Sequence, residues 1–257
     1  MTVSSPFKVI RLSLTDSNEL HIIDIDNIDD QLKRNIDNRF IKICEGNVTA
    51  DLSLVKSRVI NFLTPKKGST TEMGAIAEFF IHLYLNEIGF EPQFLYLNLE
   101  EGSIKKGFDG YYTLGDEEWI LESKSGSIST SGITHGKKVK ESCTDLQGKL
   151  LGASSNNPWR NAYNHANLRD VAAPDSIIAN IRTLRDSYDT GTFKGIEDCN
   201  IIPGSTIFLE GSWSSSDPMV IQSQINAEIS KFRFKKIQVL CVTKKSLNLF
   251  WDYLKMI

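Results

Sequence analysis

The chain has no uninterrupted apolar run of about 18 residues or more, and no charged-then-apolar leader pattern. A membrane-spanning helix is therefore not expected, and the sequence reads as soluble and cytosolic, with no membrane partner. Cysteine is sparse too. Cys44, Cys143, Cys199 and Cys241 stand far apart with no Cys-x-x-Cys pair, which argues against a structural zinc site and against a disulfide framework. An excess of positive charge is also missing, since 29 Lys and Arg against 32 Asp and Glu give a formal net charge of −3. Phosphate contact needs clustered cations, so a free-standing, high-affinity DNA binder is disfavoured unless basic residues concentrate locally or a partner holds the nucleic acid. No Gly-rich strand-to-helix loop occurs, which argues against nucleotide hydrolysis by this chain alone, and no Gly-x-Ser-x-Gly elbow is present. Internal repeats and low-complexity tracts are absent as well.

What is there suffices for a core: 257 residues at 40% hydrophobic content allow one large domain, or a smaller one with an appendage. The alternation in Phe7 to Leu14 predicts a strand, and the acidic stretch Asp24 to Asp30 an exposed turn. Leu52, Val55, Val59, Ile60 and Leu63 fall near helical spacing, ending at Pro65 and Gly68. Ser69-Thr70-Thr71-Glu72 is a capping-box pattern that opens an apolar helix to about Ile88, stopped by Gly89. Strands are expected over Pro92 to Leu99, Tyr111 to Leu114 and Trp119 to Lys124, the last two joined by the turn Gly115 to Glu118. A Gly- and Ser-rich loop from Ser125 leads to helices over about Lys137 to Leu151, Pro158 to His165 and Pro174 to Asp189. Strands at Ser205 to Glu210 and Lys236 to Val242 flank a helix from about Met219 to Phe232, and a helix from Ser246 to Lys255 follows. The order predicts an α/β fold with a mixed central sheet flanked by helices, the main domain spanning 51–257 and residues 1–50 an appendage.

The chemistry concentrates on the predicted hairpin. Side chains alternate along a strand, so Glu122 and Lys124 share one face while Leu121 and Ser123 take the other. Asp109, at the start of the pairing strand, would then face Glu122. Two carboxylates that close raise one another's pKa unless a cation intervenes, and Mg²⁺ takes one or two carboxylates with water and phosphate. Lys124 would orient the metal-bound water or stabilise developing charge. A surface hairpin with an ion pair gives the same pattern and stays open on spacing alone. Glu78, among apolar neighbours on the preceding helix, is either a third metal-site acid or an exposed edge of that helix. Glycines on both sides of Asp109 would free the backbone for approach by a ligand.

Gly74-x-x-x-Glu78, then Gly107-Phe108-Asp109-Gly110, then Glu122-Ser123-Lys124 resembles the PD-(D/E)xK nuclease superfamily, with Phe108 where that family usually has proline. The Glu-Ser-Lys strand, the Asn157-Pro158-Trp159 segment with Asn161 and His165, and the closing strand and helix are similar, more narrowly, to the HamA-type nuclease subunit of Hachiman antiphage-defence systems. The resemblance implies that Asp109 and Glu122 bind Mg²⁺ or Mn²⁺, with Glu78 as accessory acid and Lys124 as the catalytic lysine. It also implies DNA as substrate and a superfamily 2 helicase of the HamB kind as partner. Gln147 stands where some relatives carry a substrate-contacting side chain. Lys137, Lys138, Lys140 and Lys149, interrupted by Glu141 and Asp145, make its helix locally basic, which fits a solvated face at least as well as phosphate contact. Lys231, Arg233, Lys235 and Lys236, interleaved with Phe232 and Phe234, read as ordinary packing rather than base stacking. A stand-alone restriction-type endonuclease and a non-catalytic interaction protein with the same fold remain the alternatives.

Overall fold

A computed structural model of the chain describes residues 5–15, 18–96, 107–153 and 156–256. Strands β1 (Lys8–Thr15) and β2 (Asn18–Ile25) form an antiparallel hairpin, followed by helices α1 (Asp30–Glu45), α2 (Leu52–Leu63) and α3 (Thr70–Glu87). The short β3 (Glu91–Pro92), β4 (Gly110–Leu114) and β5 (Glu117–Ser127) come next, then α4 (His135–Leu150), α5 (Pro158–Ala166) and α6 (Asp175–Asp189). The chain continues with β6 (Asn200–Phe208), α7 (Pro218–Ile229), β7 (Lys236–Lys244) and α8 (Asn248–Lys255). All seven strands join one mixed sheet in the order β1-β2-β7-β6-β5-β4-β3, parallel from β2 through β5 and antiparallel at both margins. The fold is the α/β arrangement that the element order predicts.

Residues β6 and β7 contribute to the sheet are buried almost throughout, as parallel strands covered on both faces must be. Two cores result. One packs α1, α2, α3 and α8 on the face that carries Leu121, Ile202 and Leu240; the other packs α4, α5, α6 and α7 on the face that carries Ile120, Ile201 and Val239. β6 begins earlier than the sequence suggests because Pro203 and Gly204 hide the pattern. The β6–β7 ladder skips Ile202 and Pro203, which is where a residue without an N–H is tolerated.

Residues 1–50 are not an appendage in this structure, so far as they are described. β2 runs parallel to β7 inside the sheet, and Ile23, Ile25, Leu32, Ile36 and Phe40 enter the same core as α3 and α8. The acids misled the reading: Asp29 caps α1 by accepting the Leu32 N–H at 2.8 Å, and Asp30 sits in the first turn, so the stretch opens a helix rather than an exposed turn. The expected strand over Pro92 to Leu99 reduces to the Glu91–Pro92 pairing with β4, and Leu97 to Leu99 lie outside the described residues. β5 runs on through Ser125, Gly126 and Ser127, expected as loop, because β6 pairs with it along that length. All four cysteines are buried.

Candidate active site

The hairpin register builds the site. The β4–β5 pair farthest from the turn is Gly110↔Leu121, and the Asp109 N–H also donates to the Leu121 carbonyl, at 3.1 Å. Asp109 lies just beyond the paired residues, sharing Leu121 with Gly110 rather than continuing the regular register, and it is near enough to Glu122 for its charge to raise that carboxyl. Asp109 Oδ2 then accepts the Ser123 N–H at 2.7 Å and the Ser123 hydroxyl at 3.1 Å, which fixes its carboxylate against the strand.

Glu122 is almost fully buried, 1% exposed, yet both its oxygens meet a cation. Lys124 Nζ lies 2.9 Å from Oε1 and Lys149 Nζ 2.6 Å from Oε2. Asp145 completes the group, 2.5 Å from Lys124 Nζ and 3.5 Å from Lys149 Nζ. Burial and the charge of Asp109 push the Glu122 carboxyl well above the usual range, while the two lysines pull it back. Burial works against the charge on Lys124 and on Lys149, but the surrounding carboxylates outweigh it and raise both. Asp145 is lowered despite partial burial, because it shares hydrogen bonds with Glu122 and Lys124 and feels both lysine charges. The cluster therefore favours charged lysines at neutral pH, with Asp145 ionised between them.

Glu122 and Lys124 are thus paired, with Asp109 beside them, while Glu78 rises from a different helix layer. Glu78 belongs to α3, which packs on the Leu121 face, whereas Glu122 and Lys124 point toward α4 on the other. It is buried at 7% exposure, and its charge, after burial itself, raises the hydroxyl pKa of Tyr96 and Tyr112. Tyr112 also feels Asp109, so Glu78 is near the site's margin without entering the lysine cluster. The apolar helix told of burial but not of which side of the sheet it covers.

Lys137 Nζ donates to the Gly132 carbonyl at 2.5 Å, Lys138 pairs with Glu141 at 2.7 Å, and Lys140 is exposed. Gln147 is half-buried on α4, and its carbonyl accepts the Leu151 N–H that ends the helix. Lys231 pairs with Glu228 at 2.6 Å, Lys236 with Glu117, and Phe232 and Phe234 pack on the second core, as ordinary packing requires. The glycines beside Asp109 serve the protein rather than a ligand. A Cβ on Gly107 would stand 2.3 Å from Pro158 Cα, and one on Gly110 would stand 2.7 Å from the Tyr112 ring. Close packing is their reason.

Sequence reasoning missed the inward role of Asp145 and Lys149, reading one as an interruption and the other as part of a basic patch. The signal was present: they are four apart on α4, beside the buried stripe Val139, Cys143, Leu146 and Leu150. Among the described residues no group of three or more His, Cys, Asp and Glu is arranged to hold a metal. What fits a divalent cation is the Asp109 and Glu122 pair, coupled strongly enough that one charge raises the other's pKa, which matches the one or two carboxylates Mg²⁺ takes. No helix among the described residues is long and apolar enough to cross a membrane. A comparison with protein-family models returns no match for the chain, and a search of curated proteins returns none either.

Proposed function

We propose that this chain is a Mg²⁺- or Mn²⁺-dependent DNA nuclease, the cutting subunit of an antiphage-defence complex controlled by a superfamily 2 helicase of the HamB kind. One observation carries the reading: the buried Glu122 carboxylate lies within reach of the Asp109 charge at the end of the β4–β5 hairpin, with Lys124 Nζ 2.9 Å from Glu122. Asp109 and Glu122 would hold the cation. A divalent ion bound there supplies Lewis-acid polarisation of a phosphodiester and a lowered pKa for its water. Lys124, kept protonated by Glu122, Asp145 and Asp109 against the cost of burial, stabilises negative charge developing on the phosphate rather than accepting a proton. Ser123 holds Asp109 in place through its N–H and hydroxyl.

Dependence on a partner is supported by charge. The net charge is −3, and Lys137 and Lys138 are already engaged within the chain, so α4 offers little uncommitted positive surface for a phosphate backbone. A helicase that delivers DNA would supply what this surface lacks. A second reading, a non-catalytic binding platform, draws support from the lysine pairing of both Glu122 oxygens.

Copurification with the products of neighbouring genes, followed by assays on linear and circular DNA with Mg²⁺ or EDTA and with or without ATP, tests both. Cleavage by the parent that Glu122→Gln and Lys124→Met each abolish is the expected result. Variants that cut as well as the parent would overturn the nuclease assignment, and no metal-dependent cleavage even with the partner bound would favour the platform.

A further inference from the structure

We propose that Lys149 is the site's built-in cation: in the metal-free protein it neutralises Glu122, and it passes to Asp145 when a divalent ion binds. This rests on the metal-site reading above and adds a role for two residues outside the hairpin.

Glu122, at 1% exposure, needs a counter-charge whether or not a metal is present, because an unpaired buried carboxylate is strongly destabilising. Three carboxylates, Asp109, Glu122 and Asp145, share the cluster with two lysines, Lys124 and Lys149, a net charge of −1 when all five are ionised. Adding a divalent ion makes the sum +1 and places two cations on one carboxylate unless one withdraws.

The distances identify which lysine withdraws. Lys124 is already closer to Asp145, at 2.5 Å, than to Glu122, at 2.9 Å. Lys149 is the reverse, 2.6 Å from Glu122 and 3.5 Å from Asp145. Among the described residues its ammonium is the cation on Oε2 of Glu122, and its second partner is one helical turn away on the same face of α4. Its backbone carbonyl accepts the Tyr188 hydroxyl at 3.2 Å, so the exchange involves the side chain and leaves α4 in place. Asp145 has an exposed side chain, 43%, which lets it take the incoming ammonium with little reorganisation.

Direct titration of the full chain with Mn²⁺ at pH 8, free ion being read by electron paramagnetic resonance, tests this without any nuclease assay. Lys149→Met and Lys149→Gln should bind Mn²⁺ about tenfold more tightly than the parent, since a competing charge a few Å away is gone. Lys149→Arg should bind like the parent, and Asp145→Asn more weakly. A merely structural role for Lys149 would not tighten binding. If the Lys149 variants are folded and bind no tighter, while Glu122→Gln and Asp109→Asn lose the ion, the exchange is wrong and the metal site stands. If the parent binds no Mn²⁺, or the two acid variants bind it as the parent does, the metal site itself fails and the exchange with it.

Discussion

Asp109 Oδ2 accepts the backbone N–H of Ser123 at 2.7 Å, so the acid that precedes β4 is tied to the residue standing between Glu122 and Lys124. Asp109→Asn keeps an acceptor for that N–H and removes only the charge. Its melting temperature should stay within a few degrees of the parent's, a change of about 1 kcal/mol or less. Metal-dependent cleavage should fall at least about a hundredfold if the charge works on the reacting groups. Ser123→Ala loses the 3.1 Å hydroxyl contact and keeps the N–H, so its activity should remain within a few-fold. Equal losses in the two variants would show that the hydrogen bond matters and the charge does not.

Gly107 gives a second test, because the approach of α5 rather than a ligand explains it. An added Cβ would lie 2.3 Å from Pro158 Cα and 2.4 Å from its carbonyl oxygen, atoms of backbone that cannot swing aside. Gly107→Ala should cost about 1–3 kcal/mol in denaturant unfolding. Gly74→Ala, inside α3 with nothing within 4 Å of the new methyl, should gain about 0.5–1 kcal/mol. A neutral Gly107→Ala would mean that the Phe108 and Asp109 segment shifts freely.

The contrast between these elements shows what a sequence can reveal. The hairpin was legible because its information is local: alternation sets Glu122 and Lys124 on one face, and Gly115, at φ +58, marks the turn. Asp145 and Lys149 were not, because their meaning depends on α4 crossing β5 after the chain has looped back. The placing of Glu78 was hidden for the same reason, since periodicity reports burial and leaves the side of the sheet undetermined. The first fifty residues were misread through their acids, although Leu32, Ile36, Phe40 and Ile43 already carried a helical stripe that a core would claim.

Lys244 offers a stability test away from the site. It ends β7 fully buried, with Nζ 4.2 Å from the centre of the Phe80 ring and no hydrogen-bond partner among the described residues. Burial pulls its pKa down to about 7 from an ordinary 10.5. Below pH 7 the folded state must hold a buried ammonium, a penalty that is relieved as pH rises toward 10.5 because the unfolded chain then binds more protons than the folded one. Lys244→Met should therefore raise stability by about 3–5 kcal/mol at pH 6, with the gain shrinking steadily toward pH 10. Urea midpoints across that range decide it, and a gain independent of pH would point to packing instead.

His135 carries the opposite end of the pH scale. Its ring is buried between β6 and β7, with Nδ1 2.8 Å from the Ser205 hydroxyl and Nε2 3.3 Å from the Thr243 hydroxyl, and burial lowers its pKa to about 4. Between pH 6.5 and 4 the unfolded chain takes up a proton that the folded ring refuses, so its contribution is present above pH 6.5 and lost as pH falls toward 4. That loss amounts to about 3 kcal/mol. His135→Gln can hydrogen-bond both hydroxyls and never titrates. At pH 7 it should be less stable than the parent by about 1–2 kcal/mol for imperfect packing, and by pH 4.5 the difference should close or reverse. Lys244 does not confuse the comparison, since parent and variant both carry it and its titration cancels from their difference. Parallel acid limbs for parent and variant would mean that the His135 ring takes its proton as readily when folded as when unfolded, and that other groups set the acid sensitivity of the fold.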